Sequence, residues 1–232
     1  CEDAECTTAN ELVRWITPYS RPGTRRWLLE ASPLLPLLGD GGTKTLRVTM
    51  GPAWEEATPR VVSVSLRLQS SGEARASEAL LAFRGGEFNA EYNAGQAPFV
   101  FTPPAEATRV ELVTIVSGHG QTERDNCAEW CNHVHDFSIG GSVHTIDHEG
   151  QAGQARGCAD RAGEGVVPGQ WGNWAPSRAA WCPGLPVAPT VMDITADVVL
   201  GEENTVAYAA RFDGGEPRGG SMDLSTYVVV YR

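Results

Sequence analysis

The run Cys127-Ala128-Glu129-Trp130-Cys131 puts a carboxylate and an indole between two thiols. Two cysteines at that spacing can close a very small disulfide ring. By chain entropy such a ring is worth only about 2 kcal/mol, against about 3.5 kcal/mol for a loop of roughly twenty-five residues. It is therefore a weak staple but a good jig, fixing the posture of what it encloses, as a catalytic or sugar-reading site requires. Glu129 is then a candidate acid or base. Trp130, Trp174, Arg178 and Trp181 cluster in sequence around the cysteines that follow. Indole faces stack on the apolar faces of sugar rings, and arginine offers a fixed fork of donors to carbonyls and hydroxyls. The blander reading makes the tryptophans core under a long loop, and Glu129 a solvated residue in a stapled turn. His133 and His135 alternate as two ligands on one strand face would, with His119, His144 and His148 nearby in sequence. Such a pair suits copper or zinc, yet surface strands also carry alternating histidines, so alone it is weak evidence.

The elements that must hold these residues read as strands. Residues 62–69 alternate apolar and polar without error, and Val206, Tyr208, Ala210 and Phe212 repeat that period. The segment 110–116 is apolar on both faces except for Glu111 and Thr114, the mark of a central strand, and 226–231 is β-branched and aromatic. Further strands are expected at 46–50, 79–83, 99–102, 135–139 and 191–198. Helix is scarce: Ser32 reads as an N-cap, Pro33 as the first helical position and Gly39 as the stop. Many short strands separated by glycine and proline predict an all-β sandwich. Residues 70–74 form the best linker, and 151–173 a long glycine-rich loop of the kind that carries function.

Composition narrows the function further. The 232 residues carry a formal net charge of −11, which excludes a phosphate-binding stripe and so nucleic acid. No apolar run is long enough to span a bilayer. A start at Cys1 reads as a processed or trimmed chain. Six cysteines suggest an oxidising compartment. Their connectivity is open from sequence alone; the choice of nearest partners is Cys1–Cys6, Cys127–Cys131 and Cys158–Cys182.

Asn173-Trp-Ala-Pro-Ser-Arg-Ala-Ala-Trp-Cys-Pro-Gly184, together with Ser117-Gly-His-Gly120 and the 127–131 ring, resembles the bacterial peptide:N-glycosidase F family. Arg14-Trp-Ile-Thr-Pro-Tyr19 is similar to an upstream motif of that family, and Cys1 and Cys6 match the spacing of its first disulfide. The resemblance runs through the whole chain and is strongest over 114–187. It implies two side-by-side antiparallel jelly rolls, here 1–69 (short) and 75–232, the second carrying the site loops. It implies an amidase that hydrolyses the asparagine–N-acetylglucosamine linkage of N-glycosylated proteins or peptides, without metal or cofactor. By the same resemblance the protein is a secreted or periplasmic monomer, Glu129 is catalytic, and Trp130, Arg178, Trp181, Trp54 and His119 contact substrate.

The chain also departs from the family pattern. The family's principal aspartate falls on Asn10, whose amide can be neither base nor anion. Glu11 is adjacent and, in a strand, would face the other way. Trp54 matches a family tryptophan but lacks its preceding glutamate, leaving Glu55 and Glu56 as solvated charges, and His119 stands where the family has tryptophan. The first domain is too short for a full jelly roll, which implies either a lost part or a segment missing before Cys1 and between Cys6 and Leu12. Two alternatives follow: a module that binds glycopeptide without cutting it, and a copper protein, since the family fold resembles that of copper-dependent peptide monooxygenases.

Overall fold

The computed structural model describes residues 9–19, 21, 23–39, 41–50, 61–70, 72, 74–120, 127–212, 215, 217 and 219–232. The chain forms β1 (Arg14–Trp15), β2 (Ala76–Glu87), β3 (Phe99–Phe101), β4 (Arg109–His119), a one-turn helix α1 (Cys127–Trp130) and β5 (His133–Ile139). It continues with β6 (Ser142–Ile146), β7 (Pro186–Val187), β8 (Thr190–Asp193), β9 (Asn204–Phe212) and β10 (Ser221–Tyr231). Short 3-10 turns sit at Ser32–Leu38, Ala159–Glu164 and Thr195–Asp197.

Two four-stranded antiparallel sheets make a sandwich, in the orders β2-β10-β4-β8 and β3-β9-β5-β6. The core between them draws Val110, Leu112, Val116, Met222, Leu224, Val228 and Val230 from the first sheet. The second supplies Phe101, Phe137, Ile139, Val206, Tyr208 and Ala210, so the period-2 reading of β9 holds through Ala210. β4 and β10 pair over their full lengths and are buried on both faces. Their outer face carries Val113, Ile115, Tyr227 and Val229, covered by Leu34, Trp181 and Val187, with Leu12, Ile16 and Leu37 against them. Double burial is why these strands read as unbroken apolar runs and not as alternations.

The N-terminal expectations fare differently. Among the described residues before Ala76 the only strand is β1, paired with β7. Residues 46–50 and 61–70 form no strand, and 61–70 is exposed throughout, with Leu68 at 80% exposure. A perfect alternation specifies which face a strand would bury but supplies no neighbouring strand to satisfy its backbone. Ser32 is not an N-cap: that position is Ala31, and the Ser32 hydroxyl turns back to Glu30. The turn is 3-10 and holds Pro36, which has no N–H to donate, and Gly39 does end it, its N–H reaching Pro36 O at 3.1 Å. The strand expected over 191–198 stops at Asp193, whose carboxylate accepts the Thr195 N–H at 2.9 Å and starts the next turn.

Candidate active site

The Cys127–Cys131 disulfide encloses the single turn α1, with the Cys131 N–H on Cys127 O at 3.2 Å. This turn lies directly on the end of β4. A Cβ on Gly118 would stand 1.5 Å from Ala128 O, so only glycine lets the ring approach the strand this closely. The Ala128 N–H bonds Gly219 O at 3.1 Å and the Ala179 N–H bonds Glu129 O at 3.3 Å, which locks the ring between β10 and the 174–184 segment.

Glu129 is buried, and each of its carboxylate oxygens accepts a hydrogen bond. Its Oε1 accepts from Arg178 Nε at 2.8 Å, and its Oε2 from the Gly120 N–H at 3.2 Å. The Arg178 guanidinium packs on both Trp130 and Trp181, its carbon 4.2 and 4.6 Å from the two ring centroids. Its Nη1 donates to Pro176 O at 3.2 Å, while Nη2 makes no hydrogen bond among the described residues. Trp181 is fixed in turn by Nε1 donating to Gly118 O at 2.8 Å. Ala180 adopts φ 71°, a left-handed conformation that is strained for a residue with a Cβ. That turn sends Arg178 and Trp181 to the same side. A buried carboxylate, a desolvated guanidinium and two indole faces thus meet around one ring, a set of groups suited to gripping a polar linkage beside a sugar.

The family model described as "Peptide-N-glycosidase F, C terminal" matches residues 87–229. The chain belongs to the peptide-N-glycosidase F C-terminal family.

A curated relative, peptide-N(4)-(N-acetyl-beta-D-glucosaminyl)asparagine amidase F of Elizabethkingia miricola, is 33% identical over 136 residues, which are 55% of this chain and 36% of that protein. The chain therefore spans about a third of the length of that relative. A crystal structure of a peptide-N(4)-(N-acetyl-beta-D-glucosaminyl)asparagine amidase superposes with a TM-score of 0.50 at 22% identity, covering 66% of this chain and 51% of that one. That likeness supports the β-sandwich fold. The structure of PNGase F, a glycosylasparaginase from Flavobacterium meningosepticum, gives a TM-score of 0.48 at 21% identity over 66% of this chain and 51% of its own.

The motif from which the family resemblance was read is assembled in space. Arg178 touches Glu129, Trp130 and Trp181, and His119 packs on Trp181 with ring centroids 5.0 Å apart. Trp174 does not join them. It packs on Cys158, Val166, Cys182 and Leu185, a small satellite core under the long loop. Cys158 and Cys182 are bonded as expected, whereas Cys1, Cys6, Trp54, Glu55 and Glu56 lie outside the described residues.

Sequence reasoning missed a second acid. Residues 9–13 are not a strand, so Glu11 is free to turn onto the sheet, while Asn10 is exposed. The Glu11 carboxylate pairs bidentately with Arg14, at 2.7 and 2.6 Å, and accepts from Ser225 Oγ at 2.8 Å. Tyr227 OH donates to Glu11 O at 2.9 Å. Arg14 continues to Ser117 Oγ at 2.8 Å, and Ser117 Oγ lies 2.7 Å from His119 Nε2. His119 is therefore the hinge between two carboxylate–arginine pairs. Burial holds its pKa below the ordinary value; Arg14 and Arg178 push the same way, against Asp223 and Glu129. The Arg14 motif pointed here, but nothing in the sequence told that Glu11 would stand on Tyr227 and Ser225, more than two hundred positions away.

Proposed function

We propose that this chain supplies the Glu129 side of a site that hydrolyses the amide between an asparagine side chain and the first N-acetylglucosamine of an N-linked glycan. The observation that carries this reading is the stapled Glu129 carboxylate on a guanidinium packed on Trp130 and Trp181, inside the family-matched segment. In the reaction, water adds to the amide carbon, the carbon–nitrogen bond breaks, and the nitrogen takes a proton and leaves as a glycosylamine. Aspartate remains in the peptide, and the glycosylamine decays to free sugar and ammonia. Glu129 orients the attacking water, and Nη2 of Arg178 supports the oxyanion of the tetrahedral intermediate. Trp130, Trp181 and His119 wall the sugar. Glu11 offers the second carboxylate that Asn10 cannot. N-glycosylated peptides or unfolded glycoproteins are the partners, met outside the cytoplasm by a monomer. The two disulfides among the described residues accord with that setting.

The test is incubation with a denatured N-glycoprotein. A gel shift, with aspartate replacing asparagine by mass spectrometry, is the expected result, and Glu129→Gln is expected to lower the rate by about a hundredfold or more. A second reading has its own support: Glu129 and Arg178 already saturate much of each other's capacity, as in a module that binds glycopeptide without cutting it. Retained glycopeptide binding with no shift selects that module.

A further inference from the structure

The chain has five histidines, and the structure sorts them into two kinds. His119 belongs to the acid cluster described above, and His144 bonds the Asp197 carboxylate at 2.8 Å. The other three, His133, His135 and His148, gather in the interior. His133 and His135 alternate on β5 and face inward, while His148 arrives on the loop after β6. Each is at most 6% exposed. The three rings lie within 6.2 Å of one another centroid to centroid, and one nitrogen from each falls within 4.8 Å of the others.

Hydrogen bonding does not account for this cluster. His133 Nδ1 and His135 Nε2 share a contact of 2.7 Å, and His135 Nδ1 bonds Tyr208 OH at 2.7 Å, which continues to Tyr92 OH at 3.0 Å. That leaves His133 Nε2 and His148 Nε2 buried with no partner among the described residues. A buried polar atom without a partner is destabilising. Three imidazoles with two orphaned nitrogens are therefore a poor way to fill a core beside Phe88 and Phe137, where aliphatic side chains would pack at no such cost. A different partner accounts for the arrangement.

We infer that His133, His135 and His148 form a buried three-histidine site for one zinc-class divalent ion. Imidazole nitrogens without thiolate or carboxylate suit a late first-row cation and not calcium or magnesium. Neutral imidazole is the form that ligates. The Tyr208 hydroxyl on His135 Nδ1 is the outer partner that fixes a ligating ring. Two nitrogens on a tetrahedral zinc stand about 3.3 Å apart, so an ion held by His133 Nδ1, His135 Nε2 and the orphaned His148 Nε2 replaces the short His133–His135 contact with a small parting of the rings, while His133 Nε2 stays on the far side of its ring, by Gly118. The fourth position is left to water.

The place of the site gives it a structural purpose. His133 follows Cys131 by two positions. A Cβ on Gly118, the residue whose carbonyl holds Trp181, would stand 3.1 Å from His133 Nε2. Asn132 accepts the His148 N–H at 3.0 Å, tying the loop to the base of the ring. An ion here clamps β5, the 147–149 loop and the floor of the disulfide ring together. This inference does not depend on the amidase reading.

The experiment uses the whole chain, stripped with a chelator and dialysed against Zn2+, with bound metal counted by elemental analysis. One ion per chain is expected, together with a rise in melting temperature and, for Co2+, the visible bands of a nitrogen-ligated tetrahedral site. His148→Ala is expected to weaken zinc binding by at least about tenfold, while His144→Ala leaves it unchanged. Should His148→Ala not fold, imidazole NMR of the wild type decides: zinc must shift His133, His135 and His148 and leave His144 in place. Binding of less than one-tenth of an equivalent overturns the inference, as do shifts confined to His119 or His144. Glycopeptide activity is not a readout here, so the two proposals fail separately.

Discussion

Two carboxylate–arginine pairs flank His119, and they are built in opposite ways. Glu129–Arg178 is nearly dry, with side chains 10% and 3% exposed; one partner is held by a disulfide ring and the other is packed on two indoles. Glu11–Arg14 is wetter, at 22% and 14%, and it is joined to the sandwich through hydroxyls and carbonyls of β4 and β10. The first pair is positioned by covalent and packing constraints that persist whatever the carboxylate does. The second is positioned by the hydrogen bonds themselves, so it can open at the cost of those bonds. A site needs both kinds of group, one fixed to orient and one able to move. Under the proposed amidase reading, orientation falls to Glu129 and mobility to Glu11.

The sharpest way to break this contrast is to remove the arginines. Arg178→Ala strands a buried carboxylate and is expected to cost about 3–5 kcal/mol in urea unfolding. Arg14→Ala should cost only about 1–2 kcal/mol, since water reaches Glu11. Equal losses would show that the two pairs are energetically alike. The disulfides test the jig directly. Replacing Cys158 and Cys182 by serine should cost about 3.5 kcal/mol, and replacing Cys127 and Cys131 about 2 kcal/mol. Glycopeptide binding, measured by titration at a temperature where both variants are folded, should fall more for the 127–131 variant. A reversal of that order removes the pre-positioning role of the ring.

The smallest effect is a pH dependence centred on His119. Its neighbours are Asp223, Glu129, Arg14 and Arg178. Its folded pKa lies below the ordinary histidine value of about 6.5, so between the two values the unfolded chain binds more protons. Its contribution is complete above about pH 6.5 and is lost as pH falls through the folded value. Paired melting curves of the wild type and His119→Gln at pH 7.5 and 5.5 should show the variant losing less on acidification. An identical loss sinks the assignment.

Some of this was readable from residue order because it is local. The 127–131 ring, the central strands β4 and β10, and the inward face of β9 follow from cysteine spacing, apolar runs and period-2 alternation. Alternation misled at 62–69, where the same pattern belongs to an exposed, unpaired segment. It also misled at Glu11, whose direction was inferred from a strand that is not formed. Trp174 and Trp181 look alike in sequence, only seven positions apart, yet one fills a satellite core and the other walls the acid. His133 and His135 read as a weak pair because their third member and their orphaned nitrogens appear only when the chain has closed.

Sequence by itself determined the sandwich class, the close cysteine spacing around Glu129 and the family motif, since each depends on periodicity or on spacing along the backbone. Only the tertiary structure decided that Arg178 would pack on two indoles, that Glu11 would reach Ser225, and that three histidines would share one buried point. The physical reason is that these contacts join residues distant along the chain. Their distances are set by how two sheets and their loops pack, which no local pattern encodes.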